Sequence, residues 1–309
     1  MLNTLTHTLA AADPSQHVWN HVFWKSESGY WLWSGNQGNL VLSGIILIFG
    51  MIWVSKHVAT GDVQKDGAGA FVTKNRFAHM IEVMCVYLRD EVARPLLHDR
   101  TDKLMPFLWT VFFFILVNNL LGLIPIMDVL HLLVPAWREG HMTPVGGTAT
   151  QNIWVTGVLA AIAAVVFNLA AISRLGIGGY FGHMTGGAPW FVAWMIFILE
   201  FLGQIVIKPV ALAIRLFANM TAGHILLATL LGFVGQVWYK EFVIQAPVTL
   251  ISVVGAFAIF ILELFVAFLQ AFIFMFLTSV FISLMDHHDE HGHEHEHDHA
   301  SGHEHANAA

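Results

Sequence analysis

KPVALAIRLFANMTAGH, residues 208–224, sets an arginine in the middle of an apolar segment. On either side, Trp190 to Ile207 and Ile225 to Val234 are long enough with their neighbours to sit in hydrocarbon, so Arg215 has no aqueous surface nearby. A guanidinium at mid-membrane costs about 2.5–3.5 kcal/mol even on a lenient insertion scale, and it cannot escape by losing its proton. A charge kept there points to function. On a helical wheel, Glu200, Gln204, Lys208, Arg215 and Asn219 fall on one stripe, with small Ala211 between them, so the stripe faces a partner or water.

Composition agrees with a membrane setting. Of 309 residues 56% are hydrophobic and 11% charged, with a mean hydropathy of +0.65; soluble domains carry about 25% charged residues. This places the chain among polytopic membrane proteins rather than pairs of soluble domains. The tail after Met285 holds seven acids and no Lys or Arg, which leaves 14 acids against 14 bases elsewhere. The body is therefore neutral, and no basic surface offers itself to nucleic acid. The opening residues lack a basic region and a long apolar run, which predicts no cleaved signal. Cys85, alone, permits no intrachain disulfide.

Working outward from the arginine, two apolar runs, 188–234 and 242–285, are separated by a short polar break at Gln236 to Glu241. Each is roughly twice the ~20 residues that a perpendicular helix needs. Neither contains a charged loop that would fold it into a hairpin, so both are predicted to tilt steeply or lie partly along the membrane. Pro209 is the expected bend.

Three shorter spans precede them, at about 39–55, 105–127 and 152–172. The loop from Lys56 to Lys103 carries eight of the 14 basic residues, whereas residues 128–150 carry one, Arg138. The positive-inside rule then puts the loop in the cytoplasm and the N-terminal segment, 1–38, outside. Five passages return the C-terminus to the cytoplasm. Within the basic loop, over about 71–94, Phe77, Ile81, Met84, Leu88 and Val92 recur at helical spacing opposite Arg76, Glu82, Arg89 and Asp90. That pattern predicts an amphipathic helix on the inner leaflet, ended by Pro95, either a platform for a partner or a surface helix without one. The predicted fold is all-α: about five membrane-embedded helices, two of them long and strongly tilted at the C-terminal end, plus one interfacial helix.

Polar residues inside the spans are few. Asn118 and Asn119 sit in the second, Asn152 and Thr156 share a face near the start of the third, and Ser252, Glu263 and Gln270 share a face of the last. Helix–helix hydrogen bonding alone would account for an asparagine, at about 0.6 kcal/mol per contact. His224 lies nine residues beyond Arg215, on the opposite side of the wheel. The glycines from Gly176 to Gly187 lack the strand-to-helix setting and the Lys-Ser/Thr of a phosphate loop and are expected to form a flexible turn. Trp19, Trp24, Trp31 and Trp33 suit an interfacial belt, with His17 and His21 a turn apart as an alternative metal pair.

The run ALAIRLFANM, Ala211 to Met220, resembles the signature of subunit a of F-type ATP synthases, and Gln270 to Phe274 (QAFIF) with Phe276-Leu277-Thr278 resembles the last helix of that family. The likeness covers roughly 104–285. It implies a stator subunit of a bacterial inner membrane, without a cofactor and without a nucleotide site, that passes protons to a rotating c-ring beside a b-subunit stator stalk and the remaining ATP synthase subunits. It implies further that Arg215 meets the c-ring carboxylates, with Asn219 on the same stripe, and that His224 and Glu263 form the acid–histidine pair of the proton access path with Gln270. Asn119, Asn152, Thr156 and Ser252 would line the outer half-channel, and Glu200, Gln204 and Lys208 the inner one. An imidazole beside a carboxylate can relay protons near neutral pH; a pair kept for packing is the alternative.

Two departures from the family stand out. Gly122 occupies a place where some relatives carry an acid, and Ala211 one where some carry a serine. The tail has no counterpart. Its histidines, among them His287, His288, His291, His293, His295, His297 and His299, alternate with acids and could bind Zn²⁺ or Ni²⁺ weakly or buffer protons; a solvated disordered segment is the other reading of 286–309. Outside the family, a secondary ion or metal transporter is the alternative function, though no internal repeat supports it.

Overall fold

The structure, a computed structural model, describes residues 22–26, 28, 31–58, 73, 75–124, 126, 130, 144–185, 189–238 and 240–284. The His/acid tail lies outside the described residues, as do His17, His21 and Arg138. Two short antiparallel strands, β1 (Val22–Lys25) and β2 (Trp31–Ser34), lead straight into α1 (Gly35–His57). Ser34 starts that helix with a capping box: its Oγ accepts from the Gln37 N–H, and Gln37 Oε1 accepts from the Ser34 N–H.

Helix α2 (Arg76–Tyr87) begins at Asn75, whose Oδ1 accepts from the N–H groups of Phe77 and Ala78. Pro95 does not end it. The chain runs through a π-helical turn, Leu88–Ala93, into α3 (Arg94–Leu97), with Pro95 in the first turn of α3, where a missing N–H costs least. The break falls at His98, with φ 45°, before α4 (Thr101–Leu123) begins. Leu88 and Val92 are buried and Ile81 and Met84 pack against the core, whereas Phe77 is exposed together with Met80, Val83 and Val86.

Helix α5 (Ile153–Thr185) extends well past its expected end. Among the described glycines of that stretch, Gly176, Gly178, Gly179 and Gly182, only Gly176 leaves helical geometry, at φ 69°, and the chain is helical again through Thr185. Arg100 fastens the near side of this kink, donating from Nη1 to the Ala170 carbonyl at 2.8 Å and from Nη2 to Ser173 Oγ at 3.1 Å. The guanidinium thus satisfies a carbonyl near the point where the ladder breaks.

The long run splits into α6 (Trp190–Leu202), a π-helical turn at Gly203–Ile207, and α7 (Lys208–Val237), followed by α8 (Phe242–Leu284). The expected bend at Pro209 is therefore taken up one turn earlier, where the widened turn relieves the carbonyls that the proline ring would crowd. A π turn absorbs one extra residue. Glu200 and Lys208, eight apart in sequence, consequently stand much as residues two turns apart do in a straight helix.

Among the described residues, five helical stretches, of 23, 48, 30, 47 and 43 residues, are long and apolar enough to cross a membrane. At 1.5 Å per residue α8 spans about 65 Å, twice a hydrocarbon core of about 30 Å, so it crosses at a steep slant. The most extensive packing joins α7 to α8. Lipid tails are as apolar as leucine, so close fit rather than water exclusion holds the helices together. Small residues supply it: Ala271 of α8 and Ala160 and Ala163 of α5 are fully or almost fully buried around Leu108, Phe112 and Ile115 of α4. Phe167 meets the Phe281 ring edge-on at 5.7 Å, and both lie in this core.

Candidate functional site

Three side chains on three elements converge near the end of the bundle where α4 stops and α5 starts. His224 of α7 holds Nδ1 3.0 Å from the Met220 carbonyl and 3.4 Å from Glu263 Oε1 of α8. Its Nε2 stands 3.2 Å from the Gly122 carbonyl and 3.1 Å from the Thr148 hydroxyl. Every fixed neighbour of the ring is an acceptor and the one adjustable neighbour is a hydroxyl, which can donate to a neutral ring or accept from a protonated one. The Glu263 side chain is 6% exposed, and neither carboxylate oxygen has a further hydrogen-bond partner among the described residues.

The carboxylate fits because residue 223 is glycine. A Cβ there would run into Glu263 Oε1, so the carboxylate keeps this position only beside a bare backbone on α7. Gly122 plays the corresponding part on α4: a Cβ would collide with the Thr148 side chain. Thr148 thus fills the space left by the missing side chain at 122 and brings a hydroxyl to it.

Thr148 belongs to a strap, residues 144–151, that closes this end of the site. Thr150 donates to Asn119 Oδ1 at 2.9 Å, Asn119 Nδ2 reaches the Ala267 carbonyl of α8 at 3.4 Å, and Gln151 Nε2 donates to the Met220 carbonyl at 3.2 Å. All four side chains are buried. Thr148, Thr150, Gln151 and Gly223 were not singled out from the sequence. The signal available was a polar Thr-Ala-Thr-Gln directly before an apolar helix.

Further along α7, Asn219 Nδ2 donates to Gln270 Oε1 at 2.6 Å, joining the arginine stripe to the last helix. Arg215 is half-buried, its Nη1 has no hydrogen-bond partner among the described residues, and none of their acids pairs with it. Beside it Ala211, Ala218 and Ala222 are exposed, leaving a low surface that another helix could approach closely. On the other side of Arg215 lies a second polar group. Gln204 Nε2 donates to Glu200 Oε1 at 3.0 Å, Lys208 Nζ sits 5.2 Å above the Phe281 ring, and Gln204 is buried. At 1.5 Å per residue, Arg215 stands about 10 Å from the level of Lys208 and about 13 Å from that of His224.

Not every expected residue joins these groups. Asn152 caps α5, its Oδ1 accepting from the Trp154 N–H, and the Thr156 hydroxyl donates to the Ile153 carbonyl within the same turn. Ser252 is buried on α8, about three turns before Glu263. Asn118, beside Asn119, donates back to the Phe114 carbonyl of its own helix.

Residues 39–283 match the protein family described as ATP synthase A chain. The chain belongs to that family. Among relatives, it is 41% identical over 226 residues to ATP synthase subunit a of Chloroherpeton thalassium, covering 72% of this chain and 60% of that one. It is 39% identical over 255 residues to ATP synthase subunit a 2 of Chlorobaculum tepidum, covering 78% and 64%, and 41% identical over 229 residues to the Myxococcus xanthus subunit a, covering 72% and 66%. The chain thus spans 60–66% of the length of these relatives. Family membership and five apolar helices make it a multi-pass membrane protein.

Proposed function

We propose that the chain is the stator subunit a of an F-type ATP synthase, conducting protons through two offset half-channels to a c-ring. The observation that carries this reading is the guanidinium of Arg215, which pairs with no acid among the described residues, between two polar groups on a face of α7 lowered by alanines. Rotor carboxylates facing lipid must be neutral, because a bare carboxylate there is expensive. Arg215 favours the ionised form at one point of the circle through its opposite charge. A stator carboxylate already paired with the arginine would compete for that role.

Protons arrive from outside by way of the strap, with Thr148 passing them to His224 and Glu263, and reach the ring near Asn219 and Gln270. After nearly a full turn a carboxylate releases its proton inward near Glu200, Gln204 and Lys208. Arg215 stops protons from crossing between the two routes directly. A potential of 100 mV supplies about 2.3 kcal/mol per charge, so several protons are needed for each ATP made elsewhere in the complex. The chain is the ion-conducting part, not the catalyst. Its other partners would be the b-subunit stalk, for which α2 is the candidate platform, and the remaining subunits. The membrane would be the bacterial inner membrane, with the C-terminus cytoplasmic.

The test is ATP-driven proton pumping in vesicles holding the whole complex, wild type against Arg215→Ala at matched assembly. Pumping should vanish while ATP hydrolysis persists. Pumping that survives the substitution would make Arg215 a structural residue and remove the basis of the reading.

A further inference from the structure

Helix α1 takes no part in the routes described so far, yet it carries buried polar residues that an apolar span has no need of. Asn36, Asn39 and Ser43, spaced three and four apart, are all buried. Opposite this stripe runs the first half of the strap. Trp33 Nε1 donates to the Pro144 carbonyl at 2.8 Å, and Asn39 Nδ2 donates to the Gly147 carbonyl at 2.8 Å. Gly38 has no room for a side chain, because the Pro144 carbonyl lies against its Cα, and Gly147 adopts φ 75°, where a side chain would be strained.

The second of these bonds has a direct geometric consequence. The Gly147 carbonyl belongs to the rigid peptide plane whose far corner is the Cα of Thr148. Holding that oxygen fixes the plane and with it the place of the Thr148 Cα, from which the hydroxyl reaches Nε2 of His224. Asn39 is itself fully buried, so its amide has no solvent position to swing into. The strap is thus held at 144 and 147 by the first helix and its lead-in strand, and delivers Thr148, Thr150 and Gln151 to α7 and α4 within the next four residues.

We infer that Trp33 and Asn39 are positioning residues for proton uptake: through the Pro144 and Gly147 carbonyls they hold the Thr148 hydroxyl against His224. The inference deepens the proposed function and rests on the reading of His224 and Glu263 as the uptake pair. Loosening either bond lets Thr148 drift from Nε2, and protons are then delivered more slowly when they are scarce on the strap side of the membrane. Plenty of protons should mask the defect.

The experiment uses the whole complex in vesicles, with Trp33→Phe, which keeps an aromatic ring while losing the donor, and Asn39→Leu, which loses the donor at similar size. Proton flow per assembled complex is measured against the pH on the strap side. A net hydrogen bond of ordinary strength corresponds to about a fivefold change in the occupancy of the held position. Flow is therefore expected to fall about fivefold on the alkaline limb of the profile and to return to the wild-type level as the pH drops. Ser43→Ala, whose hydroxyl bonds only to the Leu40 carbonyl of its own helix, is the control and should keep the wild-type profile. A role in stability alone would lower the number of assembled complexes and leave the profile per complex unmoved; that result overturns the inference. A second measurement does not depend on transport. In a Thr148→Cys background, a membrane-impermeant maleimide should label position 148 faster once Trp33 or Asn39 is replaced, and an unchanged labelling rate likewise counts against it. Arg215→Ala, run alongside, separates the two ideas. If that variant still pumps, the proposed function fails; if it does not, and the Trp33 and Asn39 variants behave as wild type, only the positioning role fails.

Discussion

The Thr148 hydroxyl lies 3.1 Å from His224 Nε2, although 76 residues separate them in sequence, and it occupies the space that a side chain at Gly122 would need. One threonine therefore completes the surroundings of the histidine and substitutes for a residue that α4 does not supply.

Thr148→Val keeps the shape and removes the hydroxyl. Proton transport per complex should fall by about fivefold to tenfold, the effect of one lost hydrogen bond at the ring, while Thr148→Ser should retain most of it. Initial rates of ATP-driven acidification measure both.

Gly122→Ala should cost nearly as much as the loss of Thr148, because the new methyl group displaces the threonine. The double variant Gly122→Ala with Thr148→Gly relieves the collision, so the complex should regain normal assembly while transport stays low. Quantifying assembled complex beside transport separates the two effects.

Gly223→Ala drives a methyl group into the Glu263 carboxylate. Over-packing of a tight contact typically costs about 1–3 kcal/mol, enough to lose the His224–Glu263 geometry. Shortening the acid with Glu263→Asp in the same chain makes room again, and the pair of substitutions should conduct better than Gly223→Ala alone. Rates that do not improve would mean that the room Gly223 leaves for the Glu263 carboxylate is unimportant to transport.

Arg100→Ala removes two bonds to α5 beside the Gly176 kink. Hydrogen bonds from a charged donor contribute about 1.5–3 kcal/mol, so the thermal dissociation temperature of the complex should fall. Transport per surviving complex should be close to normal, since Arg100 touches neither polar group of the proton routes.

The long helices and the arginine were legible in the sequence because both are local signals. Apolar length alone gives α8, and one charge in an apolar run marks Arg215. The acid–histidine pair was legible as well, and His224 and Glu263 do meet. The strap was not, because the positions of Thr148, Thr150 and Gln151 are set by contacts with residues 31–76 positions away. Nor was the shape of the chain at Gly203–Ile207 and Gly176, where proline and glycine signal a disturbance without specifying its form. A π turn and a kink within a continuing helix satisfy neighbouring carbonyls differently, and packing chooses between them. Asn152 and Thr156, expected at the outer half-channel, bond within their own helix start. A polar residue at a helix start serves the backbone first.

The central claim is that Arg215 keeps apart two proton routes that would otherwise join. Its most direct test is the passive proton leak of vesicles carrying the assembled complex with its catalytic sector inhibited, comparing wild type, Arg215→Ala, and Arg215→Ala combined with His224→Ala and Glu263→Ala. The account predicts that the leak rises on loss of the arginine and falls back when the uptake pair is also removed. A leak that does not rise with Arg215→Ala, or one that rises and is indifferent to His224 and Glu263, would contradict it.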